Sequence, residues 1–299
     1  MENETNFINN MTDKIKKDLE KLIDIFKIED YNDYVLGKIS FTDLLIKYNS
    51  SEYLFNLLFK SLNLQKRRKI IEENTRHDFF DCIDTEIKAY LLGFYYADGY
   101  LNLERKRIRL SIDFNDVEII NLFREYIAPL NVIGEYFKSK ENKNKTKTHL
   151  NSIQIYSPHI VETLTKYGMG HRKTYNDIAD LSFIQDNVMR HFIRGYFDGD
   201  GCVYYHKGKK KCKLKNGTIK EYEYTNRIWY IISYTKPHLV IIQNWLYRNG
   251  IKANVYNDGR DNYILSVTKK DSFYKLRELL YKDSNFFLKR KYDKFMLIS

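Results

Sequence analysis

Ile15, Leu19, Leu22, Ile23 and Phe26 recur at helical spacing and predict a helix from about Thr12 to Lys27. A second short helical stretch covers about Tyr31 to Leu36. Ser40-Phe41-Thr42-Asp43 reads as a capped start, with Leu44, Leu45 and Tyr48 on one face. Asn49-Ser50-Ser51-Glu52 resembles a capping box that opens another helix through Tyr53, Leu54, Leu57, Leu58 and Leu62. Two short helices joined by a tight polar turn fit a helix-turn-helix; they fit equally a plain helical subdomain that packs on the body. The run Gln65-Lys66-Arg67-Arg68-Lys69 follows, either as a basic arm suited to phosphates or as a solvated linker.

From about Glu86 the pattern changes and repeats. Arg107–Phe114 alternates like a strand, as does Arg227–Tyr234. Each leads into an apolar helical stretch, Val117–Ile127 and Leu239–Tyr247. Strand-like segments return at Val132–Phe137 with Ser152–Tyr156, and at Ala253–Tyr256 with Tyr263–Val267. Helical stretches follow at Ile160–Tyr167 and Phe273–Leu280. Each half closes on a basic tag, His171-Arg172-Lys173 and Lys289-Arg290-Lys291. The order helix, two strands, helix, two strands, helix, read twice, predicts an α+β chain of two similar modules with antiparallel sheets. The expected divisions are 1–85, 86–185 and 186–299. The second half is longer, and its extra residues fall just after Gly201. There Lys207, Lys209, Lys210, Lys211, Lys213 and Lys215 precede Asn216-Gly217, a strong hairpin-turn signal. A lysine-studded β-ribbon suits a nucleic-acid groove, and a solvated loop is the plainer alternative.

Composition narrows the setting. The 299 residues carry 50 Lys+Arg against 39 Asp+Glu, a net charge of +11, which points to a polyanionic partner. No apolar run is long enough to cross a bilayer, so no membrane partner is expected. The start, Met1-Glu2-Asn3-Glu4, lacks the order of a secretory signal. Three cysteines without paired spacing suit a reducing, intracellular compartment. Cys202, His206 and Cys212 lie near one another, but without a Cys-x-x-Cys pair they read as ordinary loop residues rather than a zinc site. The 26 tyrosines accompany abundant Lys, Asn and Ile, a bias that AT-rich coding produces, so they are not read as a class of stacking platforms.

The candidate chemistry lies at the start of each module. Leu91-Leu92-Gly93-Phe94-Tyr95-Tyr96-Ala97-Asp98-Gly99 and Ile193-Arg194-Gly195-Tyr196-Phe197-Asp198-Gly199-Asp200-Gly201 are aligned copies of one pattern. Residues four apart share a helix face, so Gly93 with Ala97, and Gly195 with Gly199, give each helix a flat stripe on which the other can pack. Asp98 and Asp200 then meet at one end of the pair. Two carboxylates that close repel unless a cation lies between them, and Mg²⁺, with Mn²⁺ as a substitute, suits oxygen donors.

These two motifs, with their sheet pattern and closing lysines in order, resemble the LAGLIDADG homing endonucleases over roughly Glu86 to Ser299. The resemblance implies two pseudo-symmetric αββαββα modules with saddle-like sheets, acting as a monomer on double-stranded DNA; the N-terminal helical region is additional. It implies Asp98 and Asp200 as catalytic metal ligands, with Gly99 and Gly201 beside them. It further implies Lys173 and Lys291 near the scissile phosphates, and Asn115 and Thr235 as solvent-ordering residues. The family often has an acid two places before the catalytic Asp; here Tyr96 stands there in the first copy and Asp198 in the second. Arg107, Arg109, Asp113, Arg227 and the ribbon lysines are expected to contact DNA, with Lys66, Arg67, Arg68 and Lys69 of the basic run. The expected activity is a Mg²⁺-dependent double-strand break in a long, non-palindromic site. A DNA-binding regulator without cleavage and an intron RNA maturase are alternatives on the same fold.

Overall fold

The computed structural model describes residues 12–139, 147–170, 180–215 and 217–298. The chain divides into two compact units. One is the segment up to Thr75 with Ala128–Val132; the other is Arg76–Ile127 with the segment from Ile133 onward.

The first unit is helical: α1 (Asp13–Ile25), α2 (Ile28–Val35), α3 (Phe41–Lys47), α4 (Glu52–Ser61) and α5 (Arg67–Glu73). Its core is aromatic, with the rings of Phe26 and Phe41 each packed within 6.5 Å of both Phe55 and Phe59. Ser40 and Asp43 form the reciprocal capping box that opens α3. The next helix starts differently from the sequence expectation. Ser51, not Asn49, is the N-cap of α4 and accepts from the Leu54 amide, while Asn49 adopts a left-handed turn conformation. The basic run is not an arm. Lys66 caps α5 and lies 5.8 Å over the Phe41 ring, and Arg67 is drawn inward, where it donates to the carbonyls of Val35 and Leu130. Arg67 thus ties the unit together, while Lys66, Arg68 and Lys69 remain exposed.

The second unit holds both modules. The first comprises α6 (Glu86–Asp98), β1 (Gly99–Asn102), β2 (Arg107–Asp113), α7 (Val117–Ile127), β3 (Gly134–Ser139), β4 (Lys147–Tyr156) and α8 (Pro158–Lys166). The second comprises α9 (Met189–Asp200), β5 (Gly201–Lys213), β6 (Ile219–Ser233), α10 (Pro237–Arg248), β7 (Asn254–Asn257), β8 (Tyr263–Val267), α11 (Lys270–Tyr281) and then α12 (Lys289–Met296). Both sheets are antiparallel with the same order, β1-β2-β4-β3 and β5-β6-β8-β7. On β2, Ile108, Leu110 and Ile112 face the helices, and Arg107, Arg109 and Asp113 face away.

The strands β5 and β6 pair from Gly201↔Ile231 out to Lys213↔Ile219, but β8 pairs only with Trp229–Ser233. The rest of the hairpin projects as a two-stranded ribbon. Gly217, in its tip, has φ of +84°, a conformation that disfavours a side chain; Asn216 lies outside the described residues.

The modules meet through α6 and α9. A Cβ built on Gly93 would lie 2.1 Å from the carbonyl oxygen of Phe192, and one on Gly195 would lie 2.0 Å from that of Tyr90. A Cβ on Gly199 would lie 2.1 Å from the Ala97 Cβ. The two backbones therefore touch along the small-residue stripes, and no larger residue fits at either glycine.

Candidate functional site

Each motif helix ends in its Asp, and the next residue is already in a strand. Gly99 and Gly201 make that switch possible. A side chain would strike the Tyr95 ring at 2.3 Å in one and the Phe197 ring at 2.2 Å in the other. Asp98 and Asp200 are consequently fixed at the last helical position and exposed. Asp98 Oδ2 lies 3.2 Å from the place a Gly199 Cβ would occupy, one residue before Asp200 on the opposite helix. Helix C-termini carry partial negative charge, so two carboxylates at two adjacent C-termini make a site that attracts cations.

Lys291 answers part of that charge. Its ammonium donates to the carbonyls of Phe197 (2.9 Å), Gly199 (2.9 Å) and Gly201 (2.7 Å), closing the C-terminus of α9. Burial pushes its pKa down to about 8, against the pull of Asp198, Asp98 and Asp200, which favour the charged form. The Gly201 carbonyl is therefore directed at Lys291. Asp198, fully buried, accepts from the Tyr90 hydroxyl and the Leu288 amide, and burial raises its pKa to about 6. It braces the segment that leads into α12 and stands apart from the exposed pair.

A cleft of about 470 Å³ opens beside Asp200, lined by Tyr96, Tyr196, Ser233, Thr235 and His238 among others. Thr235 is thus brought to the acid. His238 was not foreseen; a histidine on the buried face of α10 reads in sequence as a core position, and its two hydroxyl partners come from Tyr196 and Thr235. In the first module, Asn115 is exposed and donates through its backbone and side-chain nitrogens to Asp113 Oδ1 (3.0 and 2.9 Å). Asp113 accordingly caps the single 3₁₀ turn Phe114–Asp116.

Among the described residues, no group of three or more His, Cys, Asp or Glu side chains could enclose a metal. Two exposed carboxylates alone form a sparse, all-oxygen donor set. That chemistry fits a hard cation that retains water and is completed by a phosphate, as Mg²⁺ commonly is. Cys202, His206 and Cys212 lie along one strand and form no such group.

The basic residues separate by face. Arg107 donates to Gln154 and Arg109 stacks 4.9 Å over Tyr100, both on the sheet face away from the helices. Arg227 does not share that face. It lies two residues before buried Trp229, on the helix side, with its guanidinium 5.7 Å over the Tyr274 ring of α11. The inward positions of β6 are odd-numbered whereas those of β2 are even-numbered, so alignment by string placed Arg227 on the wrong side. On the ribbon, Lys207, Lys209, Lys211 and Lys213 share one face with Glu221 and Glu223. The other face carries Tyr204, His206, Lys210, Lys220, Tyr222 and Tyr224. Lys215 is exposed in the turn. Lys173 and its tag lie outside the described residues.

A family model described as a LAGLIDADG-like domain aligns with this chain. Residues 187–281 match it. The match covers the second module from the start of α9 to the end of α11. The first module repeats the same topology, as the strand orders show. The DNA-directed RNA polymerase subunit Rpo1C of Methanocaldococcus jannaschii is 32% identical over 117 residues, which is 38% of this chain. The chain spans only 12% of that relative's length. The chain is also similar to the homing endonuclease I-WcaI bound to its DNA recognition sequence, at 15% identity and TM-score 0.47, covering 73% of this chain and 93% of that one. The N-terminal LAGLIDADG domain of WhiA is similar at 14% identity and TM-score 0.41, over 71% of this chain and 89% of that one. I-DmoI in complex with DNA and Ca is similar at 15% identity and TM-score 0.40, over 66% and 91%.

Proposed function

We propose that this protein is a site-specific DNA endonuclease that cuts both strands of a long, non-palindromic duplex in a Mg²⁺-dependent hydrolysis. The observation that carries this reading is the pair Asp98 and Asp200, set at the ends of two helices whose backbones touch, with Lys291 closing one of those ends. Both acids belong to one compact unit, so a single chain supplies both half-sites.

Asp98 and Asp200 would hold the divalent cation, which when bound supplies charge neutralisation and Lewis-acid activation at the phosphate. The chain's own residues do the rest. Lys291 keeps the α9 terminus in place and adds positive charge where the phosphorane charge develops. Lys173, in the matching tag, is assigned the same role in the first module. Thr235 and Asn115 are assigned the ordering of water beside each acid. Arg107, Arg109 and the projecting ribbon hold the duplex through phosphate and groove contacts, and the unlike modules fit a target without a palindrome. In the helical unit, Lys66, Arg68 and Lys69 are assigned phosphate contacts.

The test is a supercoiled plasmid pool carrying random inserts, incubated with the full-length protein. Linear product with Mg²⁺ and none with chelator supports the reading. Stable binding without any cut, in Mg²⁺ or Mn²⁺, makes the protein a DNA-binding regulator instead.

A further inference from the structure

The two half-sites are built from the same topology but not from the same chemistry. In α7 the buried face is Ile119, Ile120, Phe123 and Ile127; in α10 the same spacing gives His238, Leu239, Ile242 and Leu246. His238 therefore stands where the first module has Ile119. The aligned motif strings likewise put Tyr196 where the first module has Phe94. An apolar pair in one module is a hydrogen-bonded pair in the other.

His238 is 3% exposed, yet both its ring nitrogens have partners. Nε2 lies 3.0 Å from the Tyr196 hydroxyl and Nδ1 lies 3.1 Å from Thr235 Oγ1. Thr235, with Asp200, lines the cleft. We propose that His238 is a positioning residue of the second half-site. Held between two hydroxyls, it turns the Thr235 hydroxyl proton into the cleft beside Asp200, and the described residues of the first module carry an apolar pair at the matching positions.

A neutral ring allows the relay two senses, and the one proposed here leaves the Thr235 proton facing the cleft. Burial holds His238 neutral, with its pKa pushed down to about 4, so one nitrogen donates and the other accepts. In the proposed sense the Tyr196 phenol donates to Nε2. Nδ1–H donates to Thr235 Oγ1, and the Thr235 O–H is left to donate outward to a water or a phosphate oxygen. In the first module Asn115, the residue expected to match Thr235, is tied instead to the carboxylate of Asp113. The second half-site is thus better arranged for an anionic substrate. This consequence rests on the endonuclease reading; the relay itself does not.

Two measurements test the proposal separately. Long-range ¹H–¹⁵N spectra of the full-length, metal-free protein report the His238 tautomer, and the Nδ1–H form is expected. Thr235→Val, which keeps the side chain's shape, should shift the Nδ1 resonance. An Nε2–H tautomer, or no response to Thr235→Val, overturns the relay. The second measurement follows each strand, labelled separately, of a duplex recovered from the random-insert pool. His238→Ala and Thr235→Val should slow the same strand by roughly tenfold or more and leave the other within about twofold, so that nicked product accumulates. Asn115→Ala should slow the opposite strand. His238→Gln, which retains one donor and one acceptor, should restore part of the rate. Equal slowing of both strands, or of neither, overturns the positioning role. Wild-type protein that cuts neither strand overturns the endonuclease reading and leaves the spectra to decide the relay.

Discussion

The guanidinium of Arg290 grips the carboxylate of Asp116 with two parallel hydrogen bonds, Nε and Nη2 each 2.7 Å from a carboxylate oxygen. Arg290 belongs to α12 of the second module and Asp116 to the turn after β2 of the first. The neighbouring residue, Lys291, reaches the end of α9. One basic tag thus fixes the other module's turn and its own module's helix terminus. Arg290→Ala leaves buried Asp116 without its partner. The expected loss is about 1–2 kcal/mol, below that of a fully buried pair because the Arg290 side chain is 58% exposed. Denaturant midpoints measure it, and an unchanged midpoint contradicts the clamp. Arg290→Lys should recover little, since an ammonium cannot make the fork.

Gly195→Ala tests the helix interface. The added methyl would meet the Tyr90 carbonyl at 2.0 Å, and because that is backbone it cannot turn aside. A destabilisation of about 3 kcal/mol or more, or failure to fold, is expected. Gly134→Ala is the control. Its Cβ would meet only the Ser152 oxygen at 3.8 Å, so stability should hold within about 0.5 kcal/mol. Similar effects at both positions would contradict the packing described.

Arg194 is fully buried and donates to Glu86 and to the carbonyls of Phe286 and Leu280. The first module has Leu92 in its place. Arg194→Leu alone leaves the Glu86 carboxylate without its counter-charge, held by Asn285 and the Phe286 amide, and should lose about 3 kcal/mol. Adding Glu86→Gln should recover part of that loss, because the remaining group is neutral. A double variant no better than the single one would show that Arg194 acts through the two carbonyls rather than through Glu86.

The pH dependence follows from three buried groups. Burial, with Arg194 nearby, lowers His191 to about 4, and burial lowers His238 to about 4. Both stay neutral in the fold while the unfolded chain takes up protons. Their contribution is complete above about pH 6.5 and fades as pH falls toward 4. Asp198, raised to about 6, acts in the opposite sense: its contribution is present below about pH 4 and lost as pH rises through 6. Two groups oppose one, so acidification from pH 7 to 4 should lower stability by a net ~3 kcal/mol. His238→Gln should flatten the profile. Stability that rises on acidification would contradict the assignment.

Much of the fold was legible because it rests on local signals. The paired Asp-Gly endings, the alternation through Arg107–Asp113 and the capped start at Ser40–Asp43 all depend on neighbours in sequence. The parts that were not legible depend on distant partners or on strand facing. Arg67 reads as one of four similar basic residues until Val35 and Leu130 are seen to accept from it. Arg227 differs from Arg109 by one position of strand parity, which changes its face. His238 looks like a core residue until Tyr196 and Thr235 flank it. The Arg290–Asp116 clamp joins residues 174 apart, beyond any local pattern.

The central claim is that Asp98 and Asp200 form one shared reaction centre. Asp98→Asn and Asp200→Asn keep size and hydrogen-bonding capacity while removing one negative charge, and both positions are exposed, so folding should be unaffected. The most direct measurement is cleavage of supercoiled target plasmid with Mg²⁺ by wild type and by each variant, with thermal unfolding alongside. The account predicts linear product from wild type, no linear product from either variant, and midpoints within a few degrees of one another. Full linearisation by either variant would contradict it.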